Sequence, residues 1–335
     1  MKNPKITVFM AAYNVAAFIS ESISSILNQT FNDFELLIVN DGSTDATVSI
    51  VEKFNDSRIR LIHNDGNKGL PITRNRLLAL ARGEYIAVLD SDDIAYPDRL
   101  QAQLEFLNEH SEIALCGGHA NIIDENGIVQ NRKLIVPTGE NVNMALLFQN
   151  PFVNSSTMFK ANVFRELNGY KDFALSEDFD LFVRISEKYP VTNLDKFLVK
   201  YRIHGNNITI KRSDEQYKSE REIIKNMQET LGMPSNSALI DLHMELFTAN
   251  IHIGNYAKYY PLFKEMKMSN QQSKRYNTDG FNCFLFNKWH EIISLQRTNK
   301  HALSSYFKKD LFSWTYFNFK AFRKVFKTSF RGLFN

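Results

Sequence analysis

The stretch YIAVLDSDDIAYPDRL, Tyr85 to Leu100, decides how the first half of the chain is read. An apolar run, Ile86 to Leu89, is followed at once by Asp90, Asp92 and Asp93. The run reads as a buried strand. Carboxylates this close repel one another, and some stay protonated unless positive charge sits among them. A divalent cation is the natural counter-charge. Taken alone, the cluster also reads as a solvated acidic turn capping the helix that follows.

Working outward, ITVFMA (Ile6 to Ala11), FELLIV (Phe34 to Val39) and IRLI (Ile59 to Ile62) read as earlier strands. IALCG, from Ile113 to Gly117, reads as a later one. Between them, apolar residues recur at helical spacing: Ile19, Ile23, Ile26 and Leu27; Val48, Val51 and Phe54; Ile72, Leu77, Leu80 and Ala81; Leu100, Leu104 and Leu107. This alternation predicts an α/β domain, Rossmann-like, with a mostly parallel sheet flanked by helices. Such sheets bind ligands at the carboxyl ends of their strands. The polar clusters fall there: AAYN (Ala11 to Asn14), NDGSTD (Asn40 to Asp45), NDGNKG (Asn64 to Gly69) and DSDD (Asp90 to Asp93). Separate strand ends thus point polar chemistry at one edge, which solvation does not explain.

Composition narrows the class. The chain has 335 residues, 44% hydrophobic and 23% charged, which describes a globular protein with one large α/β domain and an appendage. A net charge of +3 argues against a dedicated nucleic-acid binder. Cys116 and Cys283 show no metal or redox spacing and fit reduced thiols in a cytosolic protein. No apolar window is long enough to span a membrane, and a strand beginning by Ile6 leaves no room for a signal peptide. Further along, ENG (Glu125 to Gly127) reads as a hairpin turn, Glu177 to Glu187 as a helix, and Phe197 to Tyr201 as a strand. The chain turns helical after HGNNIT (His204 to Thr209), and LGMPSNSA (Leu231 to Ala238) reads as a linker. The expected domains are therefore 1–230 and a helical, aromatic and basic extension, 231–335.

The motifs AAYN, NDGSTD, NKGLPITRNRLLALARGEYIAVLDSDD and SEDFDLFVRI, in this order, resemble the family 2 glycosyltransferases, which have the GT-A fold. The resemblance runs from about Ile6 to Thr209. It implies inverting transfer of a sugar from a nucleotide-sugar donor, by family habit a UDP-sugar, to an acceptor hydroxyl, with Mg2+ or Mn2+. The acceptor would be a saccharide or lipid-linked saccharide of a bacterial cell-surface polysaccharide or glycolipid. By this resemblance Asp41 contacts the nucleotide base, with Tyr13 stacking and the Ala11 backbone nearby. Arg74 lies near base or diphosphate, Asp90 contacts the ribose or metal shell, and Asp92 binds the metal. Asp178 is the base that takes the acceptor proton, Glu177 touches the acceptor, and His204 reaches the metal or diphosphate. NPFVNSSTMF, Asn150 to Phe159, falls in the region that shapes the acceptor site.

The residues fit these roles chemically. A carboxylate accepts from the imide N–H of uracil. Mg2+ binds through one or two carboxylates plus phosphates. Ser176 stands at the N-cap of the expected helix, and a helix N-terminus favours an ionised carboxylate. Asp45 and Asp180 fit plain capping or surface roles. Two alternatives remain open here. A haloacid dehalogenase-like phosphatase also ends a strand in Asp-x-Asp, but leaves NDGSTD and SEDFDLF unexplained. A nucleotide-sugar-binding protein without catalysis would keep the motifs.

The tail raises a separate expectation. From Lys300 onward, eight basic residues face one acid, Asp310. Phe319, Phe322, Phe326, Phe330 and Leu333 form one helical stripe, and Lys320, Lys324, Lys327 and Arg331 an adjacent one. The pattern suits the surface of an anionic membrane, at its cytoplasmic face, and a peripheral protein. The plainer reading packs the phenylalanines on protein.

Overall fold

The computed structural model describes residues 3–173, 175–205, 214–251, 255–295 and 299–333. Two compact units emerge, Met1–Leu146 with Asn150–Ser219, and Leu147–Gln149 with Glu220–Asn335. The sequence-based division at 230 differs in two ways. The boundary falls within the helix Asp214–Leu231, whose Ile223, Ile224, Met227 and Leu231 are buried. The short segment 147–149 also joins the second unit, because the Phe148 ring stacks on Phe263 at 5.7 Å.

The first unit is built on a nine-stranded sheet among the described residues. Its strands are β1 (Ile6–Ala12), β2 (Phe34–Asn40), β3 (Ile59–His63), β4 (Tyr85–Val88), β5 (Ile94–Ala95), β6 (Leu115–Ile123), β7 (Val129–Leu134), β8 (Met158–Lys160) and β9 (Val191–Arg202). Their order is β3-β2-β1-β4-β8-β6-β9-β5, and β7 pairs with β6. The first four strands are parallel, as expected. Every residue of β2 is buried, as befits a strand covered on both faces. The rest of the sheet is mixed: β6 and β9 are parallel, while β8 runs antiparallel to β4 and β6. β5 and β7 are antiparallel to β9 and β6. The hairpin at Glu125 to Gly127 forms as expected, closed by Asp124 N–H donating to the Ile128 carbonyl at 3.1 Å, with Gly127 at φ +78°. β9 starts at Val191, well before the expected Phe197, because it pairs along most of β6.

Helical stripes behave as the spacing predicts, with one exception. Ile19, Ile23 and Ile26 are buried, as are Leu100, Leu104 and Leu107. On the helix Leu70–Leu80 the buried residues are Thr73, Arg74, Leu77 and Leu78, while Ile72 faces solvent. A charged residue replaces an isoleucine on the inner face because it has buried carboxylates to pair with.

The second unit is helical. Its helices include Ser237–Phe247, Tyr260–Ser273, Thr278–Ser294 and Phe319–Leu333. They enclose Phe263, Phe281, Phe286, Trp289 and Tyr306. Trp289 donates its indole N–H to the Ser305 carbonyl at 2.8 Å, so its polar edge is satisfied inside the core. Leu231 to Ala238 joins two helices of this unit, and Asn236 caps the second by accepting from Ala238 and Leu239 N–H. Among the described residues no helix is long and apolar enough to cross a membrane. Residues 206–213 lie outside the described residues, and with them the last four residues of HGNNIT.

Candidate active site

The carboxyl ends of β1, β2 and β3 are bound into one platform. Asp41 follows β2 and is 5% exposed. Its Oδ1 accepts from Asn64 Nδ2 at 2.6 Å and Lys68 N–H at 2.9 Å, and its Oδ2 from Gly69 N–H at 2.9 Å. A carboxylate has about four acceptor positions, so lone pairs remain. Gly42, at φ +77°, lies so close to the next loop that a Cβ would stand 2.6 Å from the Gly66 carbonyl carbon. Asn14 Oδ1 accepts from Thr44 N–H at 2.8 Å, tying the β1 end to the β2 end. Tyr13 stands beside this junction, 46% exposed, with its ring open to a planar partner. Ala11 pairs with Val39 inside the sheet. Asp45 accepts from Thr47 N–H at 2.9 Å and Ala16 N–H at 3.1 Å, the turn and capping role expected of it.

The end of β4 carries the acidic cluster, and the four acids divide. Asp90 accepts from Asn154 Nδ2 at 3.1 Å on both oxygens, from Ser155 Oγ at 2.9 Å, and from Arg74 at 3.2 Å. Asp92 meets His204, Oδ2 to Nε2, at 3.0 Å. Burial, then the neighbouring Asp90, hold the Asp92 carboxyl above its ordinary range, against the pull of His204. Asp93 is 1% exposed; burial, then Asp92 and Asp90, raise its carboxyl well above the ordinary value. Its Oδ1 accepts from Arg202 N–H at 2.8 Å, and its Oδ2 is buried without a hydrogen-bond partner. The fourth acid, Glu177, comes from the helix Glu177–Lys188 and pairs with Arg74 at 2.5 Å.

Arg74 therefore bridges Asp90 and Glu177, joining the β4 end to the helix Glu177–Lys188. Burial opposes its charge, but Glu177 and Asp90 outweigh burial and its pKa stays above the ordinary value. The guanidinium lies over the Tyr170 ring at 5.4 Å. Asp178, the next residue, is half-buried, and its Oδ1 accepts from Phe179 N–H at 2.7 Å. Burial, then Glu177, push its carboxyl up to about 6, with Arg74 opposing. Ser176 holds the N-cap position, but its hydroxyl makes no capping bond and is buried without a partner. The expected Ser176 side-chain cap is thus absent. Asp180 is buried and pairs with Arg184 at 2.7 Å, a structural ion pair within the helix.

Four residues to which the sequence reading gave no individual role build this site. Asn154 and Ser155 hold Asp90, so the NPFVNSSTMF segment supports the acidic cluster directly. Arg99, fully buried, donates to the Val88 and Thr157 carbonyls at 2.8 and 3.1 Å and fixes the end of β4. Arg202, 1% exposed, donates through Nε to the Asp92 carbonyl at 2.8 Å and through a terminal nitrogen to Glu21 at 2.5 Å. It clamps the acidic turn from behind.

The residues present fit a divalent cation. Asp92 and His204 offer one oxygen and one nitrogen side by side. The raised Asp92 carboxyl marks a place short of positive charge. Among the described residues no group of three or more His, Cys, Asp or Glu converges as a closed cage.

Comparison with known proteins agrees with this geometry. The sequence model of Glycosyl transferase family 2 matches residues 7–167. An uncharacterized glycosyltransferase of Haemophilus influenzae is 35% identical over 66% of this chain and 72% of its own length. The O-antigen biosynthesis glycosyltransferase WbnJ of Escherichia coli is 32% identical over 60% of this chain and 80% of its own length. Chondroitin synthase of Escherichia coli is 29% identical over 69% of this chain and 33% of its own length. Among solved structures, S. aureus TarS 1-349 in complex with UDP-GlcNAc superimposes with a TM-score of 0.58 at 19% identity, over 98% of this chain and 91% of that one. The mannosyltransferase PcManGT of Pyrobaculum calidifontis, in complex with GDP-Man and Mn2+, gives 0.50 at 14% identity, over 99% and 88%. By sequence the chain belongs to glycosyltransferase family 2, and the architecture around its acidic strand end is the GT-A fold.

Proposed function

We propose that this glycosyltransferase moves a sugar from a UDP-sugar to an acceptor hydroxyl, with inversion at the anomeric carbon. The work belongs to synthesis of a cell-surface polysaccharide or glycolipid on the cytoplasmic side. One observation carries the reading: Arg74 ties the acidic end of β4 to the start of the helix that bears Asp178, whose carboxyl is poised at about 6.

Asp178 is the base. A base works best with a pKa near the operating pH, and at neutral pH this carboxylate is ionised but still basic. It takes the proton from the acceptor hydroxyl as the oxygen attacks the anomeric carbon. One displacement inverts that carbon, and no covalent intermediate forms. Tyr13 stacks on the base of the donor, and Asp41 holds the loop 64–69 while offering its remaining lone pairs. Arg74 acts through Asp90 and Glu177, fixing both and tempering the charge around Asp178. Asp92, with His204, would hold Mg2+ or Mn2+, which when bound neutralises the departing diphosphate as a Lewis acid. Glu177 borders the acceptor side, with its charge matched by Arg74. UDP is favoured because a TarS structure similar to this chain was solved in complex with UDP-GlcNAc.

Purified protein with Mn2+ and a panel of nucleotide sugars tests the reading. The expected result is UDP release from one donor, stimulated by a saccharide acceptor. Donor binding without turnover would leave a binding protein, and phosphate release from simple monoesters would favour the phosphatase.

A further inference from the structure

The helix Phe319–Leu333 is held to the second unit by its small and polar face. Val325, Thr328 and Ser329 are buried. Ser329 Oγ donates to the Lys300 carbonyl at 3.1 Å, and Asn299 N–H donates to the Thr328 carbonyl at 3.2 Å. His290 Nε2 meets the Ala321 carbonyl at 3.2 Å. Gly332 sits against the same loop so closely that a Cβ there would lie 2.4 Å from Lys300 N. This contact determines which face points outward.

The outward face is aromatic. Phe319 is 70% exposed, Phe326 48% and Phe330 54%. The rings continue one another: Phe317 to Phe322 at 5.6 Å, Phe322 to Phe326 at 6.1 Å, and Phe326 to Phe330, stacked, at 6.4 Å. Trp314, 75% exposed, extends the row from the preceding turn and meets Phe317 at 5.7 Å. The side chain of Leu333, the last member of the predicted stripe, lies outside the described residues. Going round the helix, the order is packed face, aromatic row, then Arg323, Lys327, Lys320, Arg331 and Lys324. Those five cations are exposed, and among the described residues none makes an ion pair. No acidic residue occurs from Leu311 to the last residue of the sequence.

We infer that this face lies in the interface of an anionic lipid bilayer, with the phenylalanines and Trp314 among the acyl chains and the basic row at the phosphates. Two features select a bilayer. Monomeric proteins rarely expose a continuous aromatic row, so it has an occupant. An apolar row beside a uniformly basic one, with no acid among them, matches a surface that is apolar below and anionic above. A protein partner would have to supply an equally long row of acids beside an apolar groove. The plainer expectation, that the phenylalanines pack on the protein itself, holds for Phe322, whose ring meets Tyr306 at 6.1 Å and Phe307 at 6.0 Å, while Phe319, Phe326 and Phe330 stay exposed on the outward face.

The chain carries its own probe. Of its two tryptophans, Trp289 is 1% exposed and Trp314 is 75% exposed, so a shift in emission on vesicle binding reports Trp314. The experiment uses the full chain with vesicles of phosphatidylcholine alone, or with an equal part of phosphatidylglycerol. Emission should move to shorter wavelength, and the protein should float, only with phosphatidylglycerol. The variant Phe319→Ser/Phe326→Ser/Phe330→Ser and the variant Lys320→Glu/Lys324→Glu/Lys327→Glu should each bind at least tenfold more weakly. High salt should release the wild type, because screening removes the headgroup attraction. Unchanged circular dichroism of both variants secures the comparison. Three results would overturn the inference: no binding to phosphatidylglycerol vesicles, equal binding to neutral ones, or wild-type affinity in either variant. Self-association that shields Trp314 without lipid, and is lost in the phenylalanine variant, would assign the row to a second copy instead.

Discussion

At the strand ends of the first unit, charged groups are buried: Asp41 is 5% exposed, Arg74 6%, Asp93 1% and Glu177 3%. On the last helix of the second unit, large aromatic residues are in solvent. The two regions depart from the ordinary partition of residues in opposite directions. In the first, the charges pay for burial by pairing, Arg74 with Asp90 and Glu177, and Arg202 with Glu21. What is left over, the raised carboxyls of Asp92, Asp93 and Asp178, is charge that the protein alone does not compensate. In the second, the excess is apolar area and unpaired positive charge. Each region is incomplete in a way that motivates the complement proposed for it: cation and diphosphate for one, an anionic bilayer for the other.

The largest effect expected from breaking this pattern is at Asp92. Asp92→Ala should abolish Mn2+-dependent UDP release while leaving the circular dichroism unchanged, because removing one acid relieves the repulsion around Asp90 and Asp93. Turnover that persists in EDTA, or near-normal activity of the variant, would remove the metal from Asp92.

Next comes Asp178. Asp178→Asn should keep UDP and Mn2+ binding and lose transfer by about 10²–10⁴-fold, the scale of a lost general base. In the wild type the same residue sets a pH profile. The carboxyl is active when deprotonated, so kcat/KM should be flat above pH about 6 and fall about tenfold per unit below it. A rate independent of pH down to about 4, the ordinary carboxylate value, would show that Asp178 does not take the proton.

How much of this was legible beforehand follows from the range of each interaction. The parallel strands β1 to β4 and the clusters at their ends announce themselves through local runs and periodicity. Asp41, Asp90, Asp92 and Asp178 belong to motifs whose order along the chain is itself informative. Arg99 and Arg202 do not: Arg99 reaches back 11 residues to the Val88 carbonyl and Arg202 reaches the Asp92 carbonyl from 110 residues away, and neither contact leaves a periodic or motif signal. Ile72 loses its expected inward place to Arg74 for a long-range reason, since the partner Glu177 lies 103 residues away. The three-residue β8 is too short to show a period, so the mixed half of the sheet stays hidden. On the last helix the stripe was visible, but only the packing of Val325, Thr328 and Ser329 determines that it faces outward.

A smaller effect separates function from stability at Asp178. Its folded pKa of about 6 lies above the ordinary 3.8, so the folded state binds protons more tightly than the unfolded one. Holding the carboxylate ionised therefore destabilises the fold above pH about 6, by at most about 3 kcal/mol. Asp178 is only half-buried, and solvent screening reduces this figure. Below the unfolded value both states are protonated and the penalty vanishes. Asp178→Asn should then unfold at higher urea than wild type at pH 8, with the gain shrinking to nothing as the pH falls toward 4. A variant less stable than wild type at pH 8 would mean that the carboxylate is not strained in the fold.

The smallest effect belongs to the other region and closes the contrast. Phe319→Ser/Phe326→Ser/Phe330→Ser removes three large side chains, yet each is about half exposed or more and the helix is anchored by its opposite face. Truncating a buried phenylalanine costs about 3–5 kcal/mol, whereas surface changes stay within about 0.5 kcal/mol each. The triple variant should therefore unfold within about 1.5 kcal/mol of wild type in lipid-free urea titration. The sugar-transfer rate with a soluble acceptor should also be unchanged. A loss the size of a buried phenylalanine would mean that these rings are part of the fold. The row would then hold the second unit together rather than meet an outside surface.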